Sequence, residues 1–290
     1  MTPEAQRRVD VVRVRGGARE AGRDQAATEE PLEIRLHGQS FAVIMRTPGA
    51  DRELAAGFLL AEGVIRGADD LGTIAHCADR GSGRAWTPTG GEGADADARA
   101  ENVVNVTLAN GSAAAIDRLM ADRRQVTASS SCGVCGRRTI ASLAAHAAPI
   151  GASWTVAASA ITSLPARLRE RQEVFDGTGG LHAAGLFARG GTLVDVAEDV
   201  GRHNAVDKIV GRRLMRDELP LADDLLFVSG RTSFEIVQKA IYAGVPIVAA
   251  VSAPSTLAIE LAEAFGVTLV GFVRGHAFNI YAHPERVATV

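Results

Sequence analysis

LLFVSGRTSFEIVQKAIYAGVPIVAAVSAPSTLAIELAEAFGVTLVGFVR, residues 225–274, alternates short apolar runs with longer amphipathic segments. The apolar runs predict strands and the amphipathic segments predict helices. In order, the predicted elements are strand Leu225–Val228, helix Phe234–Ala243, strand Pro246–Val251, helix Leu257–Phe265 and strand Thr268–Val273. Continuous apolar strands separated by helices are typical of a largely parallel sheet covered by helices. This stretch therefore predicts an α/β fold.

The alternation extends outward from this stretch in both directions. It predicts strands Leu181–Ala188 and Thr192–Val200, helix Ala205–Met215 and a closing strand Phe278–Ala282. Nearer the N-terminus the pattern is that of a smaller α+β unit. Its predicted elements are a hairpin of Leu32–Leu36 and Ser40–Thr47, a helix Arg52–Glu62 capped by Asp51 and ended by Gly63, a strand Glu101–Leu108, and helices Ala113–Ala121 and Arg137–Ala147. A further helix, Leu164–Phe175, is predicted after this unit.

The chain's 290 residues suit one large domain or two modest ones. We predict a mobile, arginine-rich tail at 1–29, an α+β subdomain at 30–155 that ends in a cysteine loop and its helix, and an α/β subdomain at 156–290. The segment Gly81–Arg99 is rich in Gly, Ala and Asp, which indicates an exposed loop.

Composition excludes several classes of protein. The net charge of -3 gives no overall field that would attract nucleic acid, and no apolar run reaches membrane-spanning length. Three cysteines do not form a disulfide framework, and the N-terminus has no apolar stretch of signal-peptide length. We therefore expect a cytoplasmic protein that binds neither nucleic acid nor membrane.

Four loops that follow predicted strands share polar and basic residues. They are Gly201-Arg202-His203-Asn204, Ser229-Gly230-Arg231-Thr232-Ser233, Ser252-Ala253-Pro254-Ser255-Thr256 and Arg274-Gly275-His276. The carboxyl ends of strands in an open α/β sheet line one crevice, where helix N-termini and arginines favour anions. The set predicts a large anionic ligand, most simply a phosphate-bearing cofactor. The alternative is that the hydroxyl residues only cap helices and that the arginines are only solvated.

The remaining candidate site is Ser129–Gly136, which reads Ser-Ser-Ser-Cys-Gly-Val-Cys-Gly. Structural zinc would need two more ligands beyond Cys132 and Cys135, which only Cys77 with His76 or a distant histidine could supply. No second C-x-x-C exists, so we expect no permanently bound metal, and structural zinc stays as one alternative. Thioredoxin-like exchange and two inert small residues stay as further alternatives. A helix predicted to begin after Cys135, together with Arg137 and Arg138, would stabilise a thiolate. We therefore predict a lowered pKa for at least one thiol, with Cys132 the more accessible.

His182 and His203 stand where the crevice is expected, although a lone histidine near a strand is as often structural. Asp207 and Lys208 lie one turn into a helix, where pairing with neighbours would explain them. The pattern of a zinc deaminase is incomplete, because His182 lacks a glutamate two residues on and no Pro-Cys-x-x-Cys follows it. These missing elements argue against base deamination.

Taken together, these residues resemble the FdhD family of accessory sulfurtransferases required for active formate dehydrogenase. The resemblance covers most of the chain and excludes the arginine-rich tail and Gly81–Arg99. It is carried by Pro31-Leu-Glu-Ile, Met45-Arg-Thr-Pro-Gly, Gly57-Phe-Leu-Leu-Ala-Glu-Gly, Ser131-Cys-Gly-Val-Cys-Gly, Gly179-Gly-Leu-His-Ala-Ala, Glu198-Asp-Val-Gly-Arg-His-Asn-Ala-Val-Asp-Lys, Ser229-Gly-Arg-Thr-Ser-Phe-Glu and Gly271-Phe-Val-Arg-Gly-His-Ala-Phe-Asn-Ile-Tyr.

The resemblance implies a sulfur carrier that accepts persulfide sulfur from a cysteine desulfurase. The sulfur would pass to the bis-guanine-dinucleotide molybdenum cofactor, bound as a substrate, for use by formate dehydrogenase. Cys132 and Cys135 correspond to the family's cysteine pair, with Cys132 our choice for the carrier. The family's cofactor-binding segment corresponds to Phe272, Val273, Arg274, Gly275, His276 and Ala277. The resemblance also implies a homodimer and a cytidine-deaminase-like C-terminal core beside the smaller α+β subdomain.

Combining both lines of reasoning, the further cofactor contacts are expected at His182, Arg202, His203, Ser229 and Arg231. One hazard follows from the spacing of the cysteines: attack by Cys135 on the inner sulfur of a Cys132 persulfide would close a disulfide and release sulfide. The rival hypothesis is a chaperone that delivers the molybdenum cofactor and uses its CxxC for redox chemistry, without transferring sulfur.

Overall fold

The computed structural model describes residues 5–77, 101–109 and 147–289. The chain begins with an antiparallel hairpin of strands β1 (Gln6–Arg15) and β2 (Ala18–Ala27), joined by Gly16 and Gly17 with positive φ. This hairpin lies where a mobile tail was predicted, so that prediction is wrong. The valines of β1 favour a strand and the two glycines permit a tight turn, which outweighs the arginine content.

A four-stranded sheet follows, in the order β4-β3-β6-β5. Its strands are β3 (Glu30–Leu36), β4 (Gln39–Arg46), β5 (Leu71–His76) and β6 (Val103–Leu108). Helix α1 (Asp51–Ala61) packs beside it. The predicted hairpin, helix and strand are confirmed here, but Asp51 makes no capping bond. Its carboxylate instead accepts two hydrogen bonds from the buried guanidinium of Arg46, at 2.9 and 2.8 Å.

The second half is built on a six-stranded sheet in the order β13-β12-β11-β10-β8-β9. Its strands are β8 (His182–Ala188), β9 (Leu193–Asp199), β10 (Asp224–Val228), β11 (Ile247–Ala250), β12 (Thr268–Arg274) and β13 (Ala277–Ala282). Only the neighbours β10–β11 and β11–β12 are parallel, and the other three pairs are antiparallel. The prediction of a largely parallel sheet is therefore corrected to a mixed one. The outer strands are joined by short hairpin turns, which allow only antiparallel pairing.

Helices cover both faces of this sheet. One face carries α4 (Arg202–Leu214), α5 (Phe234–Ala243) and α6 (Thr256–Phe265), as predicted within a few residues. The other carries α2 (Ala158–Arg169), and a short pair of strands, β7 (Val156–Ala157) and β14 (Val287–Ala288), lies beside it. The predicted helix Leu164–Phe175 is wrong in its bounds: the chain breaks after α2 and resumes as α3 (Glu173–Thr178).

The two halves share one hydrophobic core. A single buried cluster contains Leu32 and Leu54 from the first half together with Val206 and Ile236 from the second. Helices α1 and α4 cross with their backbones nearly touching, since a Cβ on Gly211 would lie 1.8 Å from the carbonyl oxygen of Glu53. The boundary predicted near residue 155 thus divides the sequence without dividing this core.

Several predictions lie outside the described residues: helix Ala113–Ala121, most of helix Arg137–Ala147, the loop Gly81–Arg99 and the cysteine loop. Within the described ranges, no helix is both long and apolar enough to cross a membrane. The cytidine-deaminase-like topology stays a prediction.

Candidate functional site

The four polar loops predicted to share a crevice do meet at one edge of the six-stranded sheet. Strands β9, β10, β11 and β12 all end there, and β8 begins there because it runs antiparallel to its neighbours. We call this the carboxyl edge, formed by residues 200–203, 229–233, 251–256 and 272–277. His182 is paired with Asp199 in the register of β8 and β9, which places its ring at the same edge.

Backbone hydrogen bonds tie neighbouring loops of the carboxyl edge together. The Thr232 N–H donates to the carbonyl oxygen of Ala253 at 3.2 Å, and the Ser255 N–H donates back to Thr232 at 3.0 Å. The Phe272 N–H donates to the carbonyl oxygen of Ser252 at 3.2 Å. The edge is therefore a connected backbone surface, and its side chains are presented on a rigid frame.

Arg202 and His182 converge on the backbone of Gly230. A Cβ at Gly230 would lie 3.2 Å from Cδ of Arg202 and 3.4 Å from Nδ1 of His182. The buried Nε of Arg202 has no hydrogen-bond partner among the described residues. A buried donor left without a partner costs free energy, so it suits an anionic acceptor supplied from outside the chain.

Burial lowers the pKa of His182, and the neighbouring charges of Arg202 and His203 lower it further, against a smaller opposing effect of Asp199. His182 is therefore neutral at neutral pH. A neutral imidazole can accept a hydrogen bond with one nitrogen and donate with the other.

His203 is held more tightly than the sequence indicated. Its Nε2 lies 3.0 Å from Oγ of Ser233 and 2.9 Å from Oε2 of Glu235. Burial lowers the pKa of His203, opposed by the hydrogen bond and charge of Glu235 and reinforced by Arg202 and Lys239. Glu235 was missed by the sequence reasoning, although its position two residues after Ser233 places it in the first turn of α5.

The hydroxyl groups of the carboxyl edge have different roles. The alternative that they only cap helices is therefore right for some of them and wrong for others. Ser255 does cap α6, accepting from the Ala258 N–H at 3.3 Å. Ser229 does not cap a helix, because its Oγ accepts from the Ala183 N–H at 2.8 Å and secures the start of β8. Ser233 makes no capping bond and faces His203. The Oγ1 of Thr232 is buried without a partner in the described part of the chain.

Most of the polar residues in the run 198–208 make contacts inside the protein. The carboxylate of Asp199 accepts from Nζ of Lys208 at 2.7 Å, from Nδ2 of Asn204 at 2.8 Å and from the Thr47 N–H at 3.1 Å. Lys208 also donates to the carbonyl oxygen of Thr47 at 2.9 Å. This network fastens the chain after β4 to the carboxyl edge, and it confirms that Lys208 pairs with neighbours.

Asp207 likewise pairs with a neighbour, as predicted. Nζ of Lys239 lies 2.7 and 2.8 Å from its two carboxylate oxygens, and both residues are buried. Burial raises the pKa of Asp207 to about 6, although Lys239 acts in the opposite direction. Glu198, also in this run, accepts from the Val174 and Phe175 N–H groups and so secures α3.

Residues 272–277 comprise the end of β12, the two-residue turn Gly275-His276 and the first residue of β13. Phe272 has a φ of 54°, a left-handed conformation that is costly for an aromatic residue and that is found most often at functional sites. Its ring is 37% exposed, and the guanidinium of Arg274 lies 5.7 Å from the ring centre. Gly275, His276 and Ala277 are exposed as well. The turn offers a flat aromatic surface and a cation to a planar anionic ligand.

The other predicted site residues divide into three groups. Arg231 is exposed in the loop after β10, where it can reach a ligand. Val273 is buried in the core, so only its backbone could contact one. Cys132 and Cys135 lie outside the described residues. Cys77, the one cysteine within the described ranges, is free and partly buried. No cluster of His, Cys, Asp or Glu in those ranges could hold a metal ion.

Known proteins are similar to this chain over almost its whole length. A model of the FdhD/NarQ family matches residues 27–288. The sulfur carrier protein FdhD of Streptomyces avermitilis is 48% identical over 287 residues, which cover 96% of this chain and 94% of the relative. The protein of the same name from Mycobacterium tuberculosis is 47% identical over 264 residues, covering 90% and 91%.

A solved structure is similar to the whole chain. It is that of a putative formate dehydrogenase accessory protein from Desulfotalea psychrophila, and the two superpose with a TM-score of 0.72. The match covers 98% of this chain and 100% of the other at 23% identity. At that identity, the likeness shows a shared fold.

Proposed function

Because the chain belongs to the FdhD/NarQ family, we propose that it is a sulfur carrier for the maturation of formate dehydrogenase. It would accept sulfur from a cysteine desulfurase and pass it to the bis-guanine-dinucleotide molybdenum cofactor, which is its substrate. The relatives that carry the name of a sulfur carrier match almost the full length of this chain. The identities of the sulfur donor and of the acceptor are our proposals. We also propose that the protein is a cytoplasmic homodimer.

The observation that supports the cofactor is the composition of the carboxyl edge. The carboxyl edge carries three cations, Arg202, Arg231 and Arg274. The Nε of Arg202 has no acceptor among the described residues. Because Gly230 has no side chain, Arg202 and His182 can lie against its backbone, and Phe272 offers a face for a planar ring. Phosphates and fused heterocycles of a guanine dinucleotide match these two kinds of contact.

The proposed capture step is a thiolate exchange at Cys132. Its thiolate attacks the outer sulfur of the donor's persulfide, the donor's sulfur–sulfur bond breaks, and the donor cysteine leaves as a thiolate. Cys132 then carries the persulfide. Premature attack by Cys135 on the inner sulfur would release sulfide, and we propose that the two cysteines are kept from reacting until the terminal sulfur has moved.

The carrier role is tested by mass spectrometry after incubation with a cysteine desulfurase and cysteine. We expect a mass increase of one sulfur atom on the peptide containing Cys132, and none in Cys132→Ala. Cys77→Ala is the matched control, since it removes a free thiol without touching the pair, and it should retain the added sulfur. An unmodified Cys132 peptide in the wild type would exclude this residue as the carrier.

The cofactor site is tested with GDP as the probe. Arg231→Ala should weaken GDP binding roughly ten- to hundredfold, because a charge-assisted hydrogen bond contributes roughly 1.5–3 kcal/mol. Arg216→Ala removes the same charge from an exposed position after the far end of α4 and should leave binding unchanged. Equal losses in both variants would indicate a nonspecific effect of charge.

The second candidate function is delivery of the cofactor without sulfur transfer. The carboxyl edge supports it as well, because its cations and its exposed aromatic ring suit cofactor binding whether or not sulfur is transferred. A Cys132→Ala variant that still bound GDP and still activated the dehydrogenase would support delivery. Loss of activation with GDP binding intact would support sulfur transfer.

A further inference from the structure

Two pairs of charged or titratable residues connect α4 and α5. His203 and Asp207 are one turn apart on α4, and Glu235 and Lys239 are one turn apart on α5. Lys239 is fully occupied by Asp207, with its Nζ at 2.7 and 2.8 Å from both carboxylate oxygens. Glu235 is thereby left to contact His203, at the end of the helices that meets the carboxyl edge.

The contact of Glu235 with His203 restricts where the imidazole can hold its proton. A carboxylate only accepts hydrogen bonds, so an oxygen 2.9 Å from Nε2 requires a hydrogen on that nitrogen. The hydroxyl of Ser233, 3.0 Å from the same atom, can also accept from it. Burial lowers the pKa of His203, the charges of Arg202 and Lys239 lower it further, and Glu235 acts in the opposite direction. The ring is therefore neutral at neutral pH, with its single proton on Nε2.

The other nitrogen is then an acceptor without a partner. Nδ1 of His203 makes no hydrogen bond to any described residue, and it is not one of the fully buried unpaired atoms in those ranges. A neutral Nδ1 accepts from an N–H group and does not attract a phosphate oxygen. This distinguishes it from the arginines of the same edge.

We propose that Glu235 is a positioning residue that fixes the Nε2–H tautomer of His203, so that Nδ1 accepts a hydrogen bond from a ring N–H of the bound cofactor. The substrate class at this point is a purine or pterin ring, recognised through a donor, in addition to its phosphates. This rests on the proposed function in that the ligand is a guanine dinucleotide. The tautomer itself does not depend on that function.

The tautomer is read directly by long-range proton–nitrogen NMR of the full-length protein labelled with ¹⁵N-histidine, at pH 7.5. His203→Gln identifies the signals. In the wild type we expect Nδ1 of His203 to be unprotonated and Nε2 to be protonated. In Glu235→Ala we expect a mixture of tautomers and a lower pKa for His203, while Glu260→Gln, an exposed glutamate on α6, should change neither. An Nδ1–H tautomer in the wild type, or an unchanged tautomer in Glu235→Ala, would overturn the proposal.

Binding measurements with GDP and inorganic pyrophosphate test the consequence. Removing a negative charge by itself should strengthen anion binding, so a weakening identifies a positioning effect. We expect Glu235→Ala to weaken GDP binding roughly three- to tenfold, as for one lost hydrogen bond, and not to weaken pyrophosphate binding. Glu235→Asp should restore part of the loss. Unchanged GDP binding in Glu235→Ala would contradict the acceptor role of Nδ1. If the wild type did not bind GDP, that result would count against the proposed cofactor, and the NMR measurement would still decide on the tautomer.

Discussion

The run of residues from Glu198 to Lys208 shows how one motif can serve two purposes at the scale of single residues. Asp199 and Lys208 point inward and fasten the chain around Thr47. Arg202 and His203, three and four residues after Asp199, lie at the carboxyl edge. The buried contacts of Asp199 and Lys208 hold the first turn of α4 in place. The positions of Arg202 and His203 depend on that turn.

Asp207 gives the pair with Lys239 a defined dependence on pH. The pKa of Asp207 is raised from 3.8 to about 6 in the folded protein, mainly by burial. The folded state therefore binds a proton more tightly than the unfolded state. The resulting contribution to stability is complete below about pH 3.8 and is lost as pH rises through about 6.

Lys239→Met should destabilise the protein by about 3–5 kcal/mol at pH 7.5, because it leaves a buried carboxylate without its partner. Loss of Lys239 also raises the pKa of Asp207 further, so the carboxyl is protonated at pH 5 and the deficit relative to the wild type should be smaller there. Urea unfolding at the two pH values measures both. The matched control, Asp207→Asn with Lys239→Met, should recover most of the stability at pH 7.5. A deficit that is the same at both pH values would contradict the raised pKa.

At the scale of secondary structure, apolar periodicity predicted most of what the structure contains. The runs at 225–228 and 268–273 became β10 and β12 because their side chains, except that of Phe272, are buried on both faces of the sheet. Periodicity could not reveal the direction of β8, since a buried strand has the same pattern whether its neighbours are parallel or antiparallel. Nor could it reveal that Asp51 binds Arg46, because a local cap and a contact with a neighbouring strand use the same residue type.

The crossing of α1 and α4 depends on two glycines whose importance is not visible in the sequence. A Cβ on Gly57 would lie 2.1 Å from the carbonyl oxygen of Asp207, and one on Gly211 would lie 1.8 Å from that of Glu53. Both clashes are with backbone, which cannot rotate away as a flexible side chain could. The helices are therefore closer than any residue with a Cβ would allow.

Gly211→Ala should lower the free energy of unfolding by about 3 kcal/mol, at the upper end of typical overpacking costs, because the helices must separate. Chemical denaturation followed by circular dichroism measures it. Gly190→Ala, in a turn where an added Cβ meets nothing within 4 Å, is the control and should change stability by less than about 0.5 kcal/mol. Equal stability of the two variants would mean that the helix crossing is looser than described.

At the scale of the whole molecule, the carboxyl edge depends on both halves of the chain. Helix α4 presents Arg202 and His203, and its inner face packs against α1 from the first half. The loop around Thr47 adds the buried contacts to Asp199 and Lys208. The sequence predicted the residues of the edge from their position after strands. It could not predict this support, because the partners lie about 150 residues apart in the chain.

Residues 156–290 alone should consequently fail to fold into a cooperative unit. Without the first half, the apolar surface of α4 that packs against α1 is exposed, and Lys208 loses its acceptor at Thr47. We expect this fragment to unfold without a sharp transition, to bind a hydrophobic dye and to bind GDP at least tenfold more weakly than the full chain. Adding residues 1–155 as a separate polypeptide should restore part of the transition. A fragment that unfolded as sharply as the full chain would show that the two predicted subdomains are independent folding units, and the carboxyl edge would then need no support from the first half.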